Sequence, residues 1–152
     1  MYKHVAACMI AALLFSGPLM AERTPSPRNA YLYIGWPNDG EVLRANHPFR
    51  VWFGLRNMGV APKGTPKPNT GHHHLLIDTD LADAKLPVPS DDNHLHFGKG
   101  QTETTLDLGP GSHTLQLVLG DGNHVPHDPP VVSEPIRITV SSAAAAVEDN
   151  AN

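Results

Sequence analysis

Proline and glycine punctuation most constrains what this chain can fold into. Fifteen prolines and thirteen glycines are spread through 152 residues. Long helices are disfavoured, because proline removes a backbone donor and clashes with the preceding helical turn. Between these breaks, apolar residues recur at every second position. Phe49, Val51, Phe53 and Leu55 fall on one side and Arg50, Trp52 and Arg56 on the other, the pattern of a half-buried strand. Leu32, Ile34 and Trp36 share a face of an expected first strand over 31–36, followed by a Pro37-Asn38-Asp39-Gly40 turn.

Further strands are expected over 71–79 and 94–97. Segments 101–108 and 112–120 flank Gly109-Pro110-Gly111 and are expected to form a hairpin, with His113, Leu115, Leu117 and Leu119 on one face. Ile136, Ile138 and Val140 mark the last strand, and Pro135 stands at its start, where a missing donor is tolerated. The expected class is all-β, an immunoglobulin-like β-sandwich of about seven strands. Two long loops, 57–70 with Pro62, Pro66 and Pro68 and 80–92 with Pro87 and Pro89, are long enough to carry function.

Residues 1–21 read as a signal peptide. Lys3 precedes an apolar run from Val5 to Phe15, Ser16-Gly17-Pro18 breaks the run, and Ala21 offers a small residue at the cut. The run is too short to span a bilayer, and no later segment replaces it. The protein is therefore expected to be periplasmic or secreted. Residues 22–30 read as an extended leader, 31–140 as one His-rich β-sandwich domain, and 141–152 as a disordered tail. Cys8, the only cysteine, leaves with the signal peptide, so the mature chain has no disulfide and no thiolate. Eleven basic residues against fifteen acidic give a net charge of −4. The basic residues form no patch that could track phosphates, which argues against nucleic acid as a partner.

Eight of the ten histidines lie between positions 72 and 127. On a strand, His72, His74, Leu76 and Asp78 share one face, while His73, Leu75 and Ile77 share the other. His94 and His96 share a face as well. A His-x-His pair on a strand sets two imidazoles about 6.5–7 Å apart at Cα and pointing the same way. Two such pairs on adjacent strands can converge on one ion at roughly 2 Å per nitrogen. The first candidates as ligands are His72, His74, His94 and His96, with His124 and His127 able to cap the site from a loop.

His73 faces opposite its neighbours and suits core packing or support of a ligand. His113 reads as a satisfied polar residue at a strand entrance. Asp78 and Asp128 are candidates to orient a ligand imidazole through its other nitrogen. Asp121 is equally well explained by turn chemistry before Gly122. Met58 is either a thioether ligand or a gap-filling core residue.

An all-imidazole site without thiolate suits copper(II) or zinc, with copper first on affinity order. Metalloprotease, cupin and nucleophile-elbow patterns are absent. With no catalytic motif, the leading reading is a metal-binding protein that serves in binding, delivery or tolerance, with another periplasmic metal-handling protein as its expected partner. Two alternatives stay open: a metalloenzyme built on the same histidines, and a metal-free structural β-domain with a pH-sensitive imidazole cluster.

Three segments carry a family resemblance: Gly71-His72-His73-His74-Leu75-Leu76-Ile77-Asp78, the stretch from His94-Leu95-His96-Phe97-Gly98 to Glu103, and the stretch from Pro110 to Asp121 that contains His113-Thr114-Leu115-Gln116-Leu117. Together they resemble a family of small exported bacterial proteins built on a domain of unknown function. The likeness runs from about Tyr31 to Val140 and rests on three motifs in order. It implies a periplasmic single domain and draws attention to His73, His96 and His113. It implies no reaction.

Overall fold

The computed structural model describes residues 23–142. The proposed signal peptide lies outside the described residues, as do positions 143–152 of the proposed tail. Among the described residues there is no helix. The alternating segments form nine strands: β1 (Tyr31–Trp36), β2 (Val42–Arg44), β3 (Phe49–Arg56), β4 (Gly59–Val60), β5 (Thr70–Ile77), β6 (His94–His96), β7 (Glu103–Leu106), β8 (Gly111–Gly120) and β9 (Ile136–Ser141). All seven expected strands are present. β2 and β4 are additional, and only three and two residues long. Segments that short show no periodicity to read.

One sheet has the order β1-β3-β7. The other runs β2-β9-β8-β5, with β4 pairing beyond β5 and β6 also pairing with β5. β4 pairs with Thr70 and Gly71, and β6 pairs with His74, Leu75 and Leu76. The two sheets pack face to face as an immunoglobulin-like sandwich. Leu32, Val51 and Phe53 from the smaller sheet meet Leu75, Leu115, Leu117, Leu119 and Ile138 from the larger one. Each is nearly or fully sequestered from solvent, and burial of such side chains is the main stabilising contribution. The alternation in β3 holds: Phe49, Val51 and Phe53 are buried, while Arg50, Trp52 and Arg56 are exposed.

The expected hairpin around Gly109-Pro110-Gly111 does not form. β7 pairs with β3 in the smaller sheet, with Phe49 opposite Leu106, whereas β8 lies between β5 and β9. Both edges of β8 are therefore occupied, and β7 has no place beside it. The Gly-Pro-Gly segment carries the chain from one sheet to the other, with Gly111 at a φ of +145° that disfavours any side chain. Turn chemistry marks a change of direction but does not select the partner strand.

The segment before β1 is tied down near Thr24 and Ser26 and turns at Arg28 and Asn29. Thr24 and Ser26 exchange backbone hydrogen bonds with Asp128, and the Arg23 guanidinium lies 3.4 Å from the Asp128 carboxylate. Asp128 thus orients Arg23 and no imidazole.

β5 ends at Ile77, because Asp78 takes a left-handed φ of +55°. Its carboxylate accepts from Thr114 N–H at 2.8 Å and from His113 Nδ1 at 2.7 Å, and His113 Nε2 donates to the Gly109 carbonyl at 2.9 Å. Asp78 and His113 therefore clasp the end of β5 to the start of β8, at a place apart from the other histidines. Burial alone would lower the His113 pKa, but the Asp78 carboxylate and the Gly109 carbonyl outweigh it and raise it. Burial likewise opposes ionisation of Asp78, but hydrogen bonds from His113 and Thr114 lower its pKa.

The sign of the resulting pH dependence follows from linkage. The His113 contribution is complete below its ordinary value of 6.5 and is lost as pH rises through the higher folded value. The Asp78 contribution is present above its ordinary value of 3.8 and is lost as pH falls through the lower folded value. Both operate together between those two ordinary values. The His113→Ala protein is predicted to be less stable in urea unfolding by about 1 kcal/mol at around pH 5.5, a modest figure because Asp78 is partly solvated. The deficit should shrink as pH rises through the raised His113 value. A deficit that grows with pH would contradict the clasp.

Candidate metal centre

β5 is buried on both faces, and its two faces do different work. Gly71, His73, Leu75 and Ile77 face the sandwich interior, with Leu75 opposite Leu117 and Ile77 opposite Leu115 on β8. His72, His74 and Leu76 face outward. On that outer side Leu76 packs with Val118 and Val88, the latter from the 80–92 loop, to form a second small apolar cluster. This cluster and the returning loop keep water off an outward face that would otherwise be solvated. His72 and His74 are 0 % and 1 % exposed.

Two further imidazoles reach the same place. β6 pairs antiparallel with β5 so that His96 lies directly opposite His74. His124 comes from the loop after β8. There Asp121 accepts backbone N–H groups of Asn123 and Val125 through Oδ1, at 2.8 and 3.0 Å, and accepts the Thr24 hydroxyl through Oδ2 at 2.7 Å. The Asp121 carbonyl accepts from His124 N–H at 3.0 Å, and the His124 carbonyl accepts from Val88 N–H at 2.9 Å. These bonds hold His124 at a φ of +69°, a conformation uncommon outside glycine. Asp121 is thus a loop-capping residue, as its turn chemistry suggested.

The four rings form one cluster. His72 lies 4.8 Å from His74, 5.0 Å from His96 and 5.0 Å from His124, centroid to centroid. His74 is 5.2 Å from His96 and 5.9 Å from His124, and His96 is 4.7 Å from His124. One ring nitrogen from each of His72, His74 and His96 lies within 4.8 Å of the others. These three histidines are close enough to hold a metal ion.

The nitrogens have no other employment. Both ring nitrogens of His72, both of His74 and Nε2 of His96 are buried without a hydrogen-bond partner. Leaving one buried polar group unpaired costs about 1–3 kcal/mol. Five in one cluster is a concentrated cost, and one shared ion, taking one nitrogen from each ring, would relieve three of them.

Burial first, then the facing His124 and His96 rings, pushes the His72 pKa down to about 4, although the Asp121 charge acts in the opposite direction. Burial and then His72, His96 and His124 take His74 down to about 3. Burial, His124 and the nearby Lys63 also lower His96. At neutral pH the buried rings are uncharged, the form in which imidazole donates a lone pair to a metal.

Two glycines make room for the cluster. A Cβ on Gly120 would lie 2.7 Å from His74 Cε1, and one on Gly98 would lie 2.5 Å from His96 Cε1. Neither glycine was recognised from sequence. The available signal for Gly98 was its position two residues beyond His96, on the same side of an extended chain.

The remaining candidates lie elsewhere. His94 is opposite Leu76, one step further along the strands, and its Nδ1 is 2.8 Å from the Asp91 carboxylate. His127 is buried beside Gly71, with Nδ1 3.3 Å from the Leu119 carbonyl and Nε2 3.1 Å from the Thr70 carbonyl. His73 points inward against Phe53, at 5.2 Å between centroids, and Nδ1 donates to the Gln101 carbonyl at 3.0 Å. Its Nε2 is also unpartnered, on the inward face of β5 and away from the other histidines. Burial pushes its pKa down to about 4 against the effect of the Gln101 bond. Met58 packs on the main core, as a gap-filling methionine does.

Residues 51–141 match the family of the Domain of unknown function (DUF4399). The chain belongs to this family. The matched segment begins within β3, so it covers all four clustered histidines and leaves β1 and β2 outside. No curated protein matches the chain. Among solved structures it is similar to fibronectin(III)-like modules of Clostridium thermocellum CbhA, at 12 % identity and a TM-score of 0.40 over 72 % of this chain and 95 % of that one. That likeness is too distant to bear on the site.

The unpaired nitrogens lead to a test that involves no metal. Replacing His74 by leucine, an apolar side chain of similar size, removes two unpartnered buried atoms. The metal-free His74→Leu protein is predicted to be more stable than the parent by about 1–3 kcal/mol in urea unfolding. Destabilisation by a similar amount would show that His74 makes stabilising contacts of its own.

Proposed function

We propose that this protein binds one transition-metal ion through His72, His74 and His96, with His124 as the fourth ligand, and that its work is metal binding, delivery or tolerance. The observation that carries this reading is the concentration of unpartnered, uncharged imidazole nitrogens at one buried point. Tetrahedral nitrogens at about 2.0–2.1 Å from zinc lie roughly 3.4 Å apart. Rings whose nitrogens already lie within 4.8 Å need only small rotations to reach that spacing.

Copper(II) is the proposed ion and zinc the next. The donor set is all imidazole, no thiolate accompanies it, and Met58 is committed to the core, so no thioether selects copper(I). Four imidazoles would close a tetrahedral zinc site or fill the square plane of copper(II), and such a full donor set favours holding an ion over turning over a substrate. A cavity of about 600 Å³ between the 64–70 and 121–123 loops is lined by none of the four histidines. The metal-free alternative leaves the unpaired nitrogens without a reason. An exported, periplasmic location is part of the same proposal and rests on residues 1–21 of the sequence.

After chelation, titration with Cu(II) or Zn(II) is predicted to give one ion bound per chain. At a hundredfold excess over Kd, the stability gain would be about 2.7 kcal/mol. His72→Ala, His74→Ala and His96→Ala should each abolish this gain, while His94→Ala and His73→Ala should retain tight binding. Unchanged melting on adding either ion would reject the proposal, as would a gain that survives loss of His74 and His96 together.

A further inference from the structure

Three of the four proposed ligands are fixed by sheet pairing, and the fourth is not. His72 and His74 sit within β5, and β6 holds His96 opposite His74. His124 stands on the loop after β8, and it and His96 are the partly exposed members of the cluster. His124 is thus the ring that can swing away without breaking a strand pair, on the side open to an arriving or departing ion. Much of what holds its loop comes from the segment before β1. Residues 23–26 run beside 121–129 and bridge to it between Pro25 and Asp128. The Arg23 guanidinium donates through Nε to the Pro126 carbonyl at 3.2 Å, donates through Nη2 to the His127 carbonyl and pairs through Nη1 with Asp128. Asp128 N–H donates to the Thr24 carbonyl at 2.9 Å, and Ser26 N–H donates to the Asp128 carbonyl at 3.0 Å. Thr24 makes the contact that matters most for the site. Its hydroxyl donates to Asp121 Oδ2 at 2.7 Å and fixes the rotation of the carboxylate, whose Oδ1 accepts the N–H groups on either side of His124.

We propose that residues 23–26 are a strap that positions His124 and sets how long a bound ion stays. This rests on the metal-binding reading above. Arg23 and Thr24 touch no ion: they are positioning residues that act through Asp121 and the loop backbone. With the strap docked, the His124 ring is held against the other three. With it detached, the loop loses the bonds that fix the Asp121 carboxylate and the 126–128 backbone, and the ion is left on the three strand-borne rings with one side open. Groups behind a metal ligand govern affinity in this way because they fix the ligand's direction before the ion arrives.

Thr24→Val keeps the shape of the side chain and removes its donor. In the metal-free chain, amide hydrogen exchange at Asn123, His124 and Val125 is expected to rise roughly three- to tenfold in this variant, as the loss of one hydrogen bond implies, with the β5 amides unchanged. In the chain loaded with Zn(II) or Cu(II), transfer of the ion to excess EDTA should be about tenfold faster, at the low end of the cost of losing a group that supports a ligand. The Cu(II) electron paramagnetic resonance spectrum should shift toward that of His124→Ala, and Thr24→Ser should restore the parent rate and spectrum. In a His124→Ala background, Thr24→Val should speed release no further, because the ring it positions is gone. Should Thr24→Val fail to fold, Arg23→Ala carries the same test. The strap is overturned if these variants release the ion as slowly as the parent, or if their effect persists undiminished without His124. A parent that binds neither ion would instead bring down the metal-binding reading, and this inference with it, whatever the exchange rates.

Discussion

The two-sided burial of β5 is the constraint on which the candidate site depends. Its inward residues, from His73 to Ile77, are held by the sandwich core, so its outward residues cannot move without disturbing that core. The outward face is then closed by Leu76, Val118, Val88 and the loop that carries His124. Imidazoles in such a place lose their hydration. They do not gain protein partners in return, because the atoms around them are other imidazoles. A strand with one solvated face would leave the same residues as ordinary surface histidines.

The cluster is best understood as a local departure from good packing that the rest of the fold sustains. Natural cores pair nearly all buried polar atoms. Here five of the six unpaired side-chain atoms among the described residues gather in one cluster, and groups at the site's margin are instead well satisfied. Asp121 uses both carboxylate oxygens to shape the loop that carries His124. The Asp78–His113 clasp secures the other end of β5. Gly98 and Gly120 keep space beside the His96 and His74 rings. Supporting groups thus hold the rings in place while leaving their nitrogens free, as a preorganised ligand set requires.

Much of this was legible in the sequence because strand periodicity is strict. Alternation alone put His72 and His74 on one face, His73 on the other, and Phe49, Val51 and Phe53 toward the core. His94 misled because facing the same way as His96 is not the same as reaching the same point. Two residues along a strand is a displacement of about 6.6 Å, and at that level the partner on β5 is Leu76. His127 lay beyond reach of such reasoning. Its direction is set by how the loop folds back, with Pro126 bridging to Gly120, and loop spacing in sequence carries no period. The failed hairpin has a related cause, since β7 was claimed by the free edge of β3, a long-range pairing that no local turn signal encodes.

The most direct measurement is anomalous diffraction from a crystal of the protein loaded with Cu(II) or Zn(II), recorded at the metal edge. The account predicts one strong peak bonded to ring nitrogens of His72, His74, His96 and His124. A peak at His94, at His127 or at surface carboxylates, with the four-histidine cluster left empty, would contradict it.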